Sequence, residues 1–211
     1  MNRIRLWWLS GGIWSGSKEE AWLAIKKLGN SRDDRAVVPL MEVFTGFDNW
    51  SVNRDIQMEA ARALMRLGKA SKLIEEMERS RCEGAVMVLR AVLNENKEGG
   101  SYDRAVQDDI TSIAKKAAEA ILKISGVTTL LPLGPHNTLG DSISTLEAIL
   151  KYAAANVKLS DLRSISELND YKYSYSAPSH CSGNWAGTKC FSCSQVRQLA
   201  RQELIRRGYQ A

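Results

Sequence analysis

The segment Ala21-Trp-Leu-Ala-Ile-Lys-Lys-Leu-Gly29 decides the fold, because related segments recur along the chain. They are Ala60-Ala-Arg-Ala-Leu-Met-Arg-Leu-Gly68, Ala117-Ala-Glu-Ala-Ile-Leu-Lys-Ile-Ser-Gly126 and the more degenerate Ala200-Arg-Gln-Glu-Leu-Ile-Arg-Arg-Gly208. In each, small residues let a second helix approach closely and aliphatic residues fill the space beside it. The glycine accepts the left-handed conformation that ends a helix. The sequence therefore predicts repeated helix ends, each closed by a left-handed glycine.

Apolar residues between these segments recur at helical spacing, as at Ile56, Ala60 and Leu64. Ser17 with Glu20 has the spacing of a capping box at a helix start. Ala and Leu occur 22 times each and Pro only four times, which favours helices over a β-sandwich. The pattern predicts helices at 2–9, 18–28, 34–45, 53–67, 70–79, 82–94, 102–125, 142–156, 159–169 and 194–207, with long loops at 95–101, 126–140 and 170–193.

Most of these helices are joined by short connections, and no single helix pair can bury their apolar stripes. We therefore predict an all-α fold, an α-solenoid of antiparallel helix pairs with a Cys-containing loop insert near the C-terminus. A compact helical bundle is the alternative. Strand-like alternation occurs only at Tyr171-Lys-Tyr-Ser-Tyr175. The predicted divisions are a Trp-rich cap at 1–17, helical repeats at 18–169, an aromatic and Cys-rich insert at 170–193, and a basic C-terminal helix at 194–211.

The stretch Leu28-Gly-Asn-Ser-Arg-Asp-Asp-Arg-Ala-Val-Val-Pro-Leu40 resembles the armadillo-type HEAT-like repeats, in particular the short bacterial repeats related to those of phycobilin lyases. In that family a helix ends in Leu-Gly, a turn with Asp and Arg follows, and Ala-Val-x-Pro-Leu opens the next helix. Proline is tolerated in the opening turn, where amide groups lack intrahelical partners. We therefore expect this helix to start later than Asp34 or to kink at Pro39. The resemblance covers 18–68 and extends to 126, and its matching residues are Leu28, Gly29, Asp34, Arg35, Ala36, Val37, Pro39 and Leu40.

The resemblance implies a scaffold rather than an activity, because its motifs are structural. We predict a non-catalytic protein in which the second helix of each pair lines a concave face that binds a protein partner. Some branches of the family bind nucleic acid, and a few relatives act on tetrapyrroles or alkylated bases. A nucleic-acid-binding protein and an enzyme of the lyase or glycosylase type are therefore the alternatives. The sequence contains no glycine-rich phosphate loop, HExxH or GxSxG motif.

Three of the four cysteines crowd together near the C-terminus. Cys190 and Cys193 have the spacing of a zinc knuckle, and Cys181 with His180 would complete a tetrahedral site for one structural zinc. Since His180 and Cys181 are neighbours, His136 or water is an alternative fourth ligand. A disulfide involving Cys181, or free thiols, are the other interpretations. Cys193 is expected at a helix start, where the pKa of its thiol would fall.

Basic and aromatic residues concentrate at the two ends of the chain. The net charge of +5 is the sum of +3 in residues 1–30, −2 in residues 31–157 and +4 in residues 158–211. Aromatic rings beside cations are typical of proteins that bind single-stranded nucleic acid. Arg197 and Arg201 share a helix face that could bind phosphate or an acidic partner. The alternative is that the tyrosines pack the insert onto the helices and the arginines form a solvated face. The candidate binding residues are Tyr173, Tyr175, Trp185, Arg197 and Arg201.

The N-terminal end carries four tryptophans, which serve either as end caps of the core or as contact anchors: Trp7, Trp8, Trp14 and Trp22. Arg3 and Arg5 precede apolar residues as in a signal peptide, but Ser10, Gly11 and Gly12 interrupt the apolar stretch and no Ala-x-Ala site follows. Secretion and interfacial membrane contact are the alternatives weighed. No run reaches the 18 apolar residues of a membrane span. We expect a cytoplasmic protein without a transmembrane segment.

Overall fold

Helices make up most of the backbone that the computed structural model describes, which is residues 9–14, 17–46, 50–81, 84–97, 107–127, 130, 139–176 and 186–210. Two short 3₁₀ turns lie at Asp34–Ala36 and Ala154–Asn156. The α-helices with defined bounds are α1 (Lys18–Gly29), α2 (Val37–Gly46), α3 (Trp50–Arg66), α4 (Ala70–Ser80), α5 (Ala85–Lys97), α6 (Gln107–Ser125), α7 (Leu139–Ala153), α8 (Leu159–Ser166) and α9 (Ser194–Arg206).

The predicted helix at 2–9 falls largely outside the described residues, but residues 9–14 are helical. Gly11 and Gly12 therefore lie inside a helix and do not interrupt it. Ile13 of this segment is buried, and a Cβ placed on Gly12 would meet Ala24 of α1 at an ordinary contact distance of 3.6 Å. The segment packs against α1 through this small-residue face.

The start of α1 is capped as the sequence predicts. The Glu20 amide donates to Ser17 Oγ over 3.3 Å, and the Ser17 amide donates to Glu20 Oε2 over 2.8 Å. This reciprocal pair satisfies two amide groups that the helix leaves without partners. The predicted capping box is confirmed.

The turn between α1 and α2 accounts for Pro39. Asp33 caps the 3₁₀ turn by accepting from the Arg35 amide over 3.0 Å, and Arg35 Nη2 lies 2.7 Å from Asp33 Oδ2. These bonds hold the pKa of the Asp33 carboxyl far below its usual range. Because α2 begins only at Val37, Pro39 is its third residue and falls in the opening turn. The expectation of a late helix start is confirmed.

Three of the four predicted left-handed glycines adopt that conformation: φ is 70° at Gly68, 66° at Gly126 and 84° at Gly208. The prediction is wrong for Gly29, which belongs to α1 and is followed by a right-handed cap at Asn30. A Cβ on Gly29 would lie 2.6 Å from the Cβ and 2.7 Å from the Cα of Ala63 in α3. Gly29 is therefore required by close helix approach rather than by backbone conformation.

Residues 1–124 form one compact unit, in which α2 packs on α3, α3 packs on α4, and α4 packs on α5. In addition, α1 and α5 both pack on α3. Lys123 Nζ lies 2.6 Å from Glu78 Oε1 and Lys116 Nζ lies 3.4 Å from Ser71 Oγ, which places α6 beside α4. The core of this unit is aliphatic, and its largest fully buried side chains are Ile13, Ile25, Leu28, Leu40, Ile56, Leu64, Leu73, Met77, Leu89, Leu93 and Ile121.

Residues 125–211 form the second unit, so the boundary falls inside the predicted repeat segment 18–169. Here α9 packs on α7 and α8 around Leu146, Leu162 and Leu204. The predicted loop at 170–193 contains two antiparallel strands, β1 (Tyr171–Ser176) and β2 (Ala186–Phe191). Across the described residues the fold is thus helical with one β-hairpin, in which the strand of alternating tyrosines pairs with 186–191.

Among the described residues, none of the helices combines the length and the apolar character that a membrane crossing demands.

Candidate functional site

Of the predicted metal ligands, the structure describes two, Cys190 and Cys193. His180, Cys181 and the alternative ligand His136 lie outside the described residues. Cys190 lies in β2, opposite Lys172, and Cys193 follows that strand by two residues. Within the described part of the chain, no cluster of three or more His, Cys, Asp or Glu side chains is able to hold a metal.

The pairing of the two strands determines how far Cys190 lies from the start of β2, and a zinc site would have to span that distance. Cys190 is four residues beyond the start of β2 at Ala186, which in a strand corresponds to roughly 13 Å. A single zinc ion would need the connection that holds His180 and Cys181 to return along the hairpin by that length. Gly187, the second residue of β2, is already paired with Tyr175 of β1.

The zinc hypothesis therefore makes a direct prediction about the purified chain. If His180, Cys181, Cys190 and Cys193 hold a structural metal, elemental analysis of protein prepared without chelator should give about one zinc per chain. The four ligands would have to be deprotonated or neutral, so the metal should be lost on acidification. Less than about one metal ion per three chains would contradict the hypothesis.

Cys193 is a free, fully buried thiol at the N-cap of α9. Its amide donates to Asp170 Oδ1 over 2.8 Å. Burial and the nearby Asp170 carboxylate raise the pKa of the thiol. The predicted fall in this pKa is wrong, because the helix start is enclosed and its positive end already faces a carboxylate.

Asp170, Cys193 and Arg197 close the base of the hairpin. Arg197 Nη1 donates to Asp170 Oδ1 over 2.9 Å and to the Leu168 carbonyl over 2.6 Å. The Cys193 amide and the Arg197 guanidinium lower the pKa of the Asp170 carboxyl. Since Asp170 precedes β1 and Cys193 follows β2, these bonds join the two ends of the insert.

Arg197 and Arg201 do share one face of α9, but that face is turned toward the end of α8. Arg201 Nη2 lies 3.3 Å from the Ser166 carbonyl, the last residue of α8, and Arg197 reaches the carbonyl of Leu168. Cations beside helix C-terminal carbonyls offset the negative end of the helix dipole. The two guanidinium groups therefore have a structural use at the α8–α9 junction.

The aromatic candidates are only partly described. Tyr173 lies opposite Lys189 and Tyr175 opposite Gly187 in the hairpin, and alternate positions of a strand share one face. Trp185 lies outside the described residues, as do Trp7 and Trp8. Trp14 packs against Gly46 at the end of α2 so closely that no Cβ would fit there. That contact agrees with an end-cap role for Trp14.

A second ionic cluster, at the end of α9, was missed by the sequence analysis. The buried Glu203 carboxylate accepts from Arg206 Nε over 2.6 Å and from Arg207 Nε over 2.7 Å. Arg207 also donates to three carbonyl oxygens beyond α7, those of Ala154 (2.6 Å), Ala155 (3.1 Å) and Val157 (3.0 Å). The sequence signal for this cluster is that the arginines follow Glu203 by three and four residues. Residues with that spacing lie on the same face of a helix.

Glu203 makes the stability of the chain depend on pH. Hydrogen bonds from Arg206, and then from Arg207, lower the pKa of Glu203 from 4.5 to about 2. A lowered pKa contributes stability that is present above pH 4.5 and is lost as the pH falls toward 2. Glu203→Gln should therefore destabilise the protein at pH 7, and its deficit should shrink by about 2–3 kcal/mol by pH 2. Urea unfolding at both pH values checks this, and parallel pH profiles would contradict it.

Side chains of α1 and α3 together form a further surface. We define the α1–α3 surface by Lys18, Trp22, Lys26, Asp55, Glu59, Arg62 and Arg66. Lys26 Nζ stands 4.8 Å from the centroid of the Trp22 ring, a cation–π contact, and 37% of Trp22 remains exposed. Arg66 Nη2 lies 2.6 Å from Oε1 of the buried Glu59, and Arg62 Nη1 lies 3.7 Å from Oε2. This surface joins an exposed aromatic ring to cations held by a buried carboxylate.

Comparison with known proteins adds no relative. No family model, curated protein or solved structure matches the chain. The HEAT-like resemblance consequently rests on the residues of 18–68, and function must be argued from the geometry.

Proposed function

We propose that the chain is a non-catalytic scaffold of HEAT-like helix pairs that binds a protein partner. One observation carries the proposal: within residues 18–69, contacts join residues at a nearly constant separation. Lys18 contacts Asp55, Gly29 contacts Ala63 and Asp34 contacts Lys69, at separations of 34 to 37 residues. A two-helix unit that stacks on its own copy produces this spacing.

These contacts support equivalent roles for alternate helices. Lys18 and Gly29 lie near the two ends of α1, and their partners follow the same order along α3, so the two helices run parallel. Glu78 and Lys123 pair α4 with α6 at a separation of 45 residues, as do Ser71 and Lys116. Parallel alternate helices are what an α-solenoid of antiparallel pairs requires.

In this arrangement α1 and α3 are the second helices of successive pairs. The resemblance assigns partner binding to the face that such helices line. The α1–α3 surface, with Trp22 exposed beside Lys26, occupies that position. Tryptophan and arginine are the residue types that carry most energy in protein interfaces. The geometry thus supports a protein partner seated on the second helices.

The nucleic-acid alternative depended on Arg197 and Arg201. Since both guanidinium groups donate to backbone carbonyl oxygens of 166–168, no contact in the described residues favours this alternative. The zinc site and a cytoplasmic location remain predictions.

The proposal is tested by quantitative affinity purification from the native cell with three versions of the chain. The wild type should retain a protein partner, and Trp22→Ala should lose it. Val38→Ala is the matched control, because Val38 is an exposed apolar residue on α2, a first helix. Equal retention by all three versions would contradict a binding role for the second helices. Loss of the captured material on nuclease treatment would favour nucleic acid instead.

A further inference from the structure

The α1–α3 surface has two facing rows of side chains, and the contacts at its ends fix how they align. Lys18 Nζ lies 3.2 Å from Asp55 Oδ2 at one end, and Gly29 abuts Ala63 at the other. Residues four apart lie one turn on along the same helix face. Trp22 is therefore level with Glu59, and Lys26 is level with the turn that holds Arg62.

The charge of this surface is unequal along its length. Its start has one cation and one anion, Lys18 and Asp55, paired with each other. Among the described residues, its far half has three cations, Lys26, Arg62 and Arg66, and one carboxylate, Glu59, which is buried and paired with both arginines. Lys26 is exposed, and the Arg62 side chain is 44% exposed. The far half therefore presents positive charge to solvent, and its two arginines are held by the buried Glu59 carboxylate.

The number and spacing of these charges indicate which kind of anionic ligand fits the surface. The rows extend over the 12 residues of α1, which a helix covers in roughly 18 Å. The surface carries four cations against two carboxylates over that length. A nucleic acid backbone places a phosphate at every nucleotide and would meet the carboxylate of Asp55, which is exposed. A protein segment with a few carboxylates and one apolar side chain complements the surface better.

We infer that the α1–α3 surface binds an acidic segment of a protein partner, with carboxylates against Lys26 and Arg62 and an apolar side chain on the Trp22 ring. The inference rests on the proposed function and names the chemistry of the partner. The buried Glu59 pairs with Arg66 and Arg62, so that these two guanidinium groups are held before binding and lose less conformational freedom on association.

The probe is a synthetic peptide of three Glu-Glu-Leu repeats, titrated into the ¹⁵N-labelled full chain and followed by NMR. Shifts should appear at the Trp22 indole and at the amides of Lys26 and Arg62. The matched peptide of Gln-Gln-Leu repeats should produce none. Binding should weaken about tenfold between 50 and 300 mM salt, because exposed charges are screened.

Matched variants separate this surface from general attraction to a basic protein. Lys26→Glu with Arg62→Glu should weaken peptide binding by about tenfold or more. Lys27→Glu makes half of this charge change, the same as Lys26→Glu alone. It lies one residue further along α1, about 100° around the helix, and should change binding less than about twofold. Circular dichroism and thermal unfolding confirm that each variant is folded.

Three results would overturn the inference: equal binding of both peptides, equal effects of the Lys26 and Lys27 variants, or stronger competition by oligothymidylate than by the acidic peptide. These are distinguishable from failure of the proposed function. If Trp22→Ala abolishes partner capture but the acidic peptide does not bind, the scaffold survives and its partner is not acidic. If neither partner nor peptide depends on this surface, both proposals fail.

Discussion

Gly29→Ala should lower the free energy of unfolding by about 2 kcal/mol, although alanine is the better helix former. Replacing a helical glycine by alanine is worth up to about 1 kcal/mol in favour of the folded state. Here the new methyl would lie 2.7 Å from the Cα of Ala63, and backbone atoms cannot move aside as a flexible side chain can. Overpacking of this kind costs about 1–3 kcal/mol or more, so the steric term outweighs propensity. Denaturant unfolding of the full chain gives the value.

Two further variants isolate the steric cause. Gly12→Ala places a methyl in another helix at an ordinary 3.6 Å from Ala24 and should be neutral or stabilising. Ala63→Gly, combined with Gly29→Ala, removes the contact with the Ala63 Cβ but keeps that with its Cα, and should recover part of the loss in a double-mutant cycle. If Gly29→Ala and Gly12→Ala have equal effects, the close approach of these helices is refuted.

Arg207→Met should destabilise the protein by about 3 kcal/mol. The substitution removes donors from the carbonyl oxygens of Ala154, Ala155 and Val157 and leaves the buried Glu203 with Arg206 alone. Hydrogen bonds to charged groups contribute about 1.5–3 kcal/mol, and removing one partner of a buried ion pair costs about 3–5 kcal/mol. The expected value lies within these limits because Arg206 still satisfies part of the carboxylate.

Arg206→Met is the matched control for this variant. Arg206 pairs with the same carboxylate, but its side chain is 63% exposed whereas that of Arg207 is 22% exposed. An exposed ion pair contributes about 1 kcal/mol or less. Thermal and denaturant unfolding of both variants should therefore separate them clearly. Losses of equal size would mean that the carbonyl contacts of Arg207 contribute nothing.

Features that depend on neighbouring residues could be predicted from the sequence. An apolar stripe such as Ile56, Ala60 and Leu64 is a local property, and so is the capping pair Ser17 and Glu20, so helix positions follow to within a few residues. Of the two strands, 171–176 and 186–191, only the first could be predicted from the sequence. The alternating tyrosines indicated the first, while the second has no such alternation and forms by pairing with it.

Features that depend on residues far apart in the sequence could not be predicted from it. Gly29 is explained by Ala63, which no local pattern connects to it. The raised pKa of Cys193 results from burial and from Asp170, 23 positions earlier. Arg197 and Arg201 were expected to face a ligand, but they donate to the carbonyl oxygens of Leu168 and Ser166, at and just beyond the end of α8. The Glu203 cluster was predictable by helix spacing, because all its charged members lie within five residues.

The recurring separation of 34 to 37 residues also constrains how such a chain can change length. A duplicated block of that size would present the same edges to its neighbours that α1 and α2 present to α3 and α4. Duplication or loss of a whole block would thus preserve the existing interfaces. An added residue inside α3 would instead rotate all later positions by about 100° and turn Ala63 away from Gly29. If the proposed repeat arrangement holds, the tight contact between those two residues makes the block, rather than the single residue, the unit by which the chain can lengthen.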